Sequence, residues 1–168
     1  MTFYSYNING LKSCIDKGFL EYFLSTNADF FCLQEIKTQI PLSDIPGYFQ
    51  FWNLSSRKGY SGTAIITKHN TLTNENEFIN DERIELEYLL NSNFVDSFRY
   101  LYPYEKDCYT WWNVGKDSKV NNIGWRLDYF LVSDYLQTYI FDSIICKDIN
   151  CSDHCPIQLT MNFSKEDL

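Results

Sequence analysis

The sequence predicts an α/β fold, and three observations carry that prediction. Phe3 to Asn7 reads as a short strand that ends at Asn-Gly. From Leu11, apolar residues recur at Leu11, Ile15, Phe19 and Phe23, with Cys14, Leu20 and Tyr22 beside them, which is one helical face fading near Ser25-Thr26-Asn27. Asp29 then leads into F-F-C-L, an unbroken apolar run of the kind found in strands buried on both faces. Strand, helix, strand in that order is the α/β signature. Gln34 and Glu35 follow the second strand, and the tail of a buried strand is where such folds place ligand chemistry.

The later elements follow in turn. Pro41 and the Pro46-Gly47 pair mark a loop, Y-F-Q-F-W is strand-like, R-K-G-Y-S-G is a loop and T-A-I-I-T is a strand. A polar, Asn-rich stretch comes next. The segment D-E-R-I-E-L-E-Y-L-L-N-S then reads as a helix, capped by Asn80 and with acids in its first turn. The remainder is strand-rich: C-Y-T-W-W-N, R-L-D-Y-F-L-V-S, F-D-S-I-I-C and P-I-Q-L-T-M-N-F suggest antiparallel pairing.

A chain of 168 residues fits one domain, and 45% apolar with 18% aromatic residues supply a core and exclude disorder. The net charge of −8 gives the whole chain no electrostatic signature of a nucleic-acid binder. Phosphate responds to the local field, however, and a divalent ion in an acidic site can meet it. No apolar run reaches membrane-spanning length, and the chain opens on a strand instead of a charged-apolar-small leader. No membrane contact and a cytoplasmic location are therefore expected. The six cysteines are scattered, several in apolar runs, which reads as reduced core cysteines and not a disulfide framework.

Four stretches set polar, ligand-type residues against apolar strands: N-I-N-G at 7–10, L-Q-E-I-K at 33–37, G-W-R-L-D-Y-F at 124–130 and C-S-D-H-C-P at 151–156. Asp128 interrupts an apolar pattern between Leu127 and Tyr129, and a buried carboxylate needs a partner. His154 is a natural one, because a carboxylate on one imidazole nitrogen fixes the tautomer and leaves the other for a ligand. A zinc site built on Cys151, His154 and Cys155 is a competing reading, with His69 or Cys146 as its fourth ligand.

The order and wording of these motifs resemble the exonuclease III family of AP endonucleases, within the endonuclease/exonuclease/phosphatase fold. The resemblance runs through S-Y-N-I-N-G, A-D-F-F-C-L-Q-E-I-K, K-G-Y-S-G-T-A-I-I-T-K, N-F-V-D-S-F-R-Y-L-Y-P, Y-T-W-W, N-I-G-W-R-L-D-Y-F-L-V-S and S-D-H-C-P, in family order. It implies a four-layer α/β sandwich, with mixed sheets packed face to face and helices outside. It also implies a Mg²⁺ or Mn²⁺ site in which Glu35 is the principal ligand, Asn7 supports the metal shell and Asp153 holds the metal or its water. Asp128 and His154 then form the family's Asp-His pair, with His154 facing the scissile phosphate. Lys37, Arg57, Lys58, Tyr60 and Lys119 resemble DNA-gripping positions, and Trp111 and Trp125 resemble the lining of a pocket for a base-less sugar. The implied partner is DNA, preferentially duplex carrying an abasic site. From the residues alone, Trp111-Trp112 could equally be core and Arg57-Lys58 a solvated pair.

The chain also departs from the family. After Lys68 the family continues through a long block that includes Asn-Val-Tyr-Thr-Pro-Asn and Gly-Asp-Leu-Asn, and neither occurs here. The 168 residues therefore read as a single domain shortened by an internal deletion near 69–79. The missing Asp-x-Asn orients and activates the attacking water in the family, so hydrolysis is expected to be impaired or absent. Asp148-Ile149-Asn150 is an Asp-x-Asn, but it lacks the preceding buried strand and Gly. A loop that carries Asn-Ala-Arg in the family reads Asp117-Ser118-Lys119 here, which weakens phosphate contact. With inner strands lost, the sheets must re-pair, leave open edges or complete themselves in a homodimer.

Overall fold

The computed structural model describes residues 1–70, 93–114 and 117–164. The helix expected over 81–91 and most of the polar stretch before it lie outside these residues.

The first strand, β1 (Thr2–Asn7), runs parallel to β2 (Phe30–Gln34), as the strand-helix-strand order requires. The connection is not one helix. It breaks into α1 (Leu11–Ile15) and α2 (Phe19–Thr26) at Gly18, whose φ of +91° belongs to the left-handed region. Both pieces still bury the predicted face through Leu11, Cys14, Phe19 and Phe23.

β2 pairs antiparallel with β4 (Thr63–Thr67), which pairs with β3 (Phe49–Asn53). On the other side, β1 pairs antiparallel with β10 (Ile157–Met161), and β10 with β9 (Ile140–Ile145). The result is a six-stranded mixed sheet of order β3-β4-β2-β1-β10-β9. Two short ribbons accompany it. One joins β5 (Phe94–Asp96) to β8 (Leu131–Ser133), and the other joins β6 (Trp111–Trp112) to β7 (Gly124–Trp125). A third helix, α3 (Ser97–Leu101), follows β5, and a 3₁₀ turn (Asp134–Tyr139) precedes β9.

Period-two alternation sends side chains of the sheet into separate cores on its two faces. On one face Tyr4, Tyr6, Phe31, Leu33, Ala64 and Ile66 pack with Phe19 and Phe23 of α2. On the other, Leu159 and Met161 pack with Val132, Val95, Phe3 and Phe130. Among the described residues, helices, sheet and β5–β8 ribbon thus form successive layers, an α/β sandwich as expected from the sequence, with the second sheet represented by short ribbons. A cavity of about 210 Å³ lies over the other half of the sheet, lined by Cys32, Phe51, Thr63 and Ile65.

The run Arg126–Phe130 was expected to be strand throughout, but strand pairing is confined to β7 and β8 at its ends. The backbone N–H groups of Leu127 and Asp128 instead donate to Oγ1 of the buried Thr110, at 2.9 and 3.1 Å. Among the described residues, no helix is long and apolar enough to cross a membrane.

Candidate active site

Two pairs of segments converge at one end of the central strands. The first pair is N-I-N-G after β1 and Q-E-I-K after β2. Backbone bonds from Ile8 N to Gln34 O (3.1 Å), Gly10 N to Glu35 O (2.8 Å) and Leu11 N to Ile36 O (2.8 Å) lace the two loops together. Gly10 has φ +115°, open to glycine and strained for any other residue. Asn9, Glu35 and Lys37 also adopt left-handed φ values of 45°, 50° and 51°. Such backbone persists in non-glycine residues only where the surroundings hold it. Here Ile36 N and Lys37 N are held by the carbonyls of Gly62 and Ser61 at 3.2 and 2.9 Å, and Ile36 is fully buried. A side chain at Gly62 would meet Ile36 at 2.8 Å, so glycine lets the two loops touch.

Within this frame Asn7 Nδ2 donates to Glu35 Oε1 at 2.9 Å, and Lys37 Nζ lies 2.8 Å from Glu35 Oε2. Burial pushes the Glu35 carboxyl up, but the hydrogen bonds from Asn7 and Lys37 and the nearby positive charges outweigh it and leave it lowered.

The second pair of segments carries Asp128 and C-S-D-H-C-P. Cys155 N donates to Thr110 O at 2.8 Å and Trp112 N to Asp153 O at 3.1 Å, which docks the Asp-His turn on β6. His154 Nδ1 sits 2.8 Å from Asp128 Oδ2, with both side chains largely buried. Asp153 collects three donors: Asn9 Nδ2 at 2.9 Å, Trp111 Nε1 at 3.0 Å and Ser152 Oγ at 3.1 Å. Burial again opposes ionisation, and these donors outweigh it, so the Asp153 carboxyl is lowered. Asn9 is the link between the halves, because its Oδ1 also accepts from Lys37 Nζ.

The structure therefore brings Asn7, Glu35, Lys37, Asp128, Asp153 and His154 into one connected site. Trp111 and Trp125 stand beside it with ring centroids 5.8 Å apart, and the Trp111 ring is 6.5 Å from that of His154. Trp112 is core, while Trp125 is 66% exposed. Gly124 is required at this corner, since a Cβ there would meet Trp111 O at 2.4 Å. Arg57, Lys58 and Tyr60 are exposed on the loop that leads into Ser61-Gly62, with the Arg57 guanidinium over the Tyr60 ring.

Lys119 stands apart from these cations. Its ammonium lies 4.7 Å from the Trp112 ring centroid and donates to Ile149 O at 3.3 Å, and burial lowers its pKa. It lines, with Asp117 and Asp153, a cavity of about 410 Å³.

The zinc reading does not survive. Cys151 Sγ donates to Lys17 O, Cys155 is fully buried, and His69 lies against Asp29 and Phe30 on the far end of the sheet. Among the described residues, no group of three His, Cys, Asp or Glu side chains could hold a metal, so the zinc reading falls. In the Asp148-Ile149-Asn150 sequence, Asn150 Nδ2 is turned onto Asp148 O at 2.9 Å. Asn9, Thr110 and Ser152 were not singled out in the sequence. Asn9 falls within N-I-N-G, but a Thr in Y-T-W-W and a Ser in S-D-H carry no signal that separates them from ordinary turn and strand residues.

Comparison with known proteins bears on this geometry. No family model matches the chain. The chain is 30% identical to the exodeoxyribonuclease of Bacillus subtilis (strain 168), covering 96% of this chain and 100% of the relative. That alignment extends over 251 positions, more than the 168 residues present, so the relative carries sequence without a counterpart here. It is 26% identical to recombination repair protein 1 of Drosophila melanogaster, covering 94% of this chain and 36% of that protein. The crystal structure of the AP endonuclease LMAP from Leishmania major superposes with a TM-score of 0.82 at 20% identity, covering 97% of this chain and 88% of the other. The fold and the laced carboxylate site define a protein of the endonuclease/exonuclease/phosphatase class. The chain belongs to the exodeoxyribonuclease and AP endonuclease family.

Proposed function

We propose that the protein descends from a Mg²⁺- or Mn²⁺-dependent phosphodiesterase that cleaves DNA at abasic sites, and that its own hydrolysis is strongly impaired. The observation that carries this reading is the Asn9 link, which joins the Glu35 half to the Asp153-His154 half in a single hydrogen-bonded site. The proposed metal-holding residues Glu35, Asn7 and Asp153 all carry oxygen donors, which suits a hard cation. The pair Glu35 and Asp153 is too sparse for a closed cage, and Mg²⁺ characteristically takes one or two carboxylates and keeps its waters. In this reading Glu35 holds the ion with support from Asn7, Asp153 holds it or its water, and the bound ion supplies charge stabilisation at phosphate.

The chain's own residues have separable tasks. Asp128 orients the His154 imidazole and leaves Nε2 as the nitrogen that can meet a phosphate oxygen. Trp111 and Trp125 offer an apolar wall for a flipped-out sugar. Lys37, Arg57, Lys58 and Tyr60 face the DNA backbone, and Lys119 contributes through the loop it braces. What the sequence lacks is the family's Gly-Asp-x-Asn motif, which would orient the water. The chain's Asp-x-Asn at 148–150 closes on its own turn.

That same observation and the net charge of −8 favour a second reading, a non-catalytic module that retains DNA or metal binding. The test is incision of a duplex with one abasic site, with Mg²⁺ and with EDTA, beside Glu35→Ala. Slow metal-dependent cutting that vanishes in the variant supports the enzyme. No cutting with salt-sensitive DNA binding supports the module.

The reading treats the described residues as part of one shortened domain in the cytoplasm, where six free thiols are at home. The terminal strands of the sheet, β3 and β9, could pair with a second copy. Sedimentation as a compact monomer would end that part of the proposal.

A further inference from the structure

Lys37 is more than a surface cation near the site. Its ammonium lies 2.8 Å from Glu35 Oε2 and also donates to Asn9 Oδ1, while the Asn9 amide donates to Asp153 Oδ1 at 2.9 Å. One positive charge is thus bound to one of the two carboxylates and connected through a single side-chain amide to the other. The placement is built into the backbone. Glu35 and Lys37 both have left-handed φ, the buried Ile36 between them is fixed, and Lys37 N is held by Ser61 O. The backbone holds the base of the Lys37 side chain beside Glu35, so the ammonium stays within reach of that carboxylate, and the two side chains are 30% and 44% exposed.

We infer that Lys37 is a tethered internal cation that occupies the Glu35 carboxylate and competes with the divalent ion for it. The inference rests on the proposed role of Glu35 as metal ligand. An ammonium at hydrogen-bond distance takes one of the carboxylate's acceptor sites and sets a positive charge beside the others. The two cations also repel each other at close range. The ammonium therefore opposes entry of the ion, and letting go of Glu35 favours it. The released ammonium, still held on the same loop, is then free to meet an anion such as a phosphate oxygen. No covalent bond changes in this exchange.

The experiment is a Mn²⁺ titration of the protein without DNA, with free ion followed by electron paramagnetic resonance, in wild type, Lys37→Gln, Lys37→Met, Lys37→Arg and Glu35→Gln. Circular dichroism checks that each variant is folded. The expected result is Mn²⁺ affinity at least about threefold tighter in Lys37→Gln and Lys37→Met at low ionic strength, the size expected on removing one partly exposed charge. Lys37→Arg, which keeps the charge, stays near wild type, and Glu35→Gln loses affinity. Salt should narrow the gap between Lys37→Gln and wild type. Equal or weaker binding in both neutral variants, with loss in Glu35→Gln, overturns the competition and leaves the metal reading standing. Binding unaffected by Glu35→Gln, or absent throughout, overturns both.

Discussion

The Nδ1 atom of His154 lies 2.8 Å from Oδ2 of Asp128, and the two side chains are 12% and 13% exposed. A hydrogen bond to a carboxylate in such a setting is stronger than a neutral one, and removing one partner leaves the other unsatisfied. Asp128→Ala should therefore cost about 1–3 kcal/mol in urea denaturation. A cycle with His154→Ala should show a favourable coupling. Additive losses would mean that the pair contributes nothing as a pair.

Thr110 is tested in a different way. Its buried Oγ1 receives two backbone N–H groups, those of Leu127 and Asp128, in place of a strand ladder. Thr110→Val keeps the shape and removes the acceptor. Two orphaned N–H groups should cost about 1–3 kcal/mol each where no water reaches them. The Leu127 and Asp128 backbone amide resonances should shift, while those of α2 should not.

Asp96 carries two duties in one buried carboxylate. Its Oδ1 caps α3 by accepting from Phe98 N at 3.1 Å and Arg99 N at 3.2 Å, and its Oδ2 binds Arg126. Asp96→Ala removes the cap and strands a guanidinium that is only 15% exposed. The expected loss is about 3–5 kcal/mol, dominated by the unpaired charge. Adding Arg126→Met should recover part of it, as read from the urea midpoint.

The pH dependence follows from Glu35 and Asp153. Both carboxyls are lowered in the folded protein relative to ordinary values of 4.5 and 3.8, with donors outweighing burial. A depressed carboxylate stabilises the fold above its unfolded value. That contribution is lost as pH falls through the folded value. The urea midpoint should fall below pH 4.5, and the fall should be shallower in Glu35→Gln/Asp153→Asn. An unchanged acid slope would refute the contribution.

How far the sequence revealed this protein depended on whether the signal was local. β1, β2 and the Glu35 turn were legible because apolar alternation and a terminal carboxylate lie side by side in the chain. Asp128 and His154 could be paired because a carboxylate inside an apolar run demands a partner. The helix break at Gly18 was hidden, since the apolar spacing continues across it and only the backbone turns. The loss of strand pairing over 126–130 depends on Thr110, sixteen residues or more away, and no periodicity reports a side chain that captures another segment's amides. Asn9 was hidden for the same reason: its partners come from residue 37 and residue 153.

The place of β1 in the sheet governs the order in which the molecule can assemble. β1 is flanked by β2 on one side and β10 on the other, with Phe3 opposite both Phe30 and Leu159. The β1–β2 half can form as soon as residue 34 has been made. The β1–β10 half must wait for synthesis to pass residue 161, and it then closes a loop comprising nearly the whole described chain. Such distant pairing is slow to form, and a nascent chain must carry one flank of β1 unpaired for most of its synthesis. Asp153 and His154 are delivered only on that late return. The site is therefore among the last parts of the molecule to exist, and a chain interrupted before β10 would hold Glu35 in place with nothing opposite it.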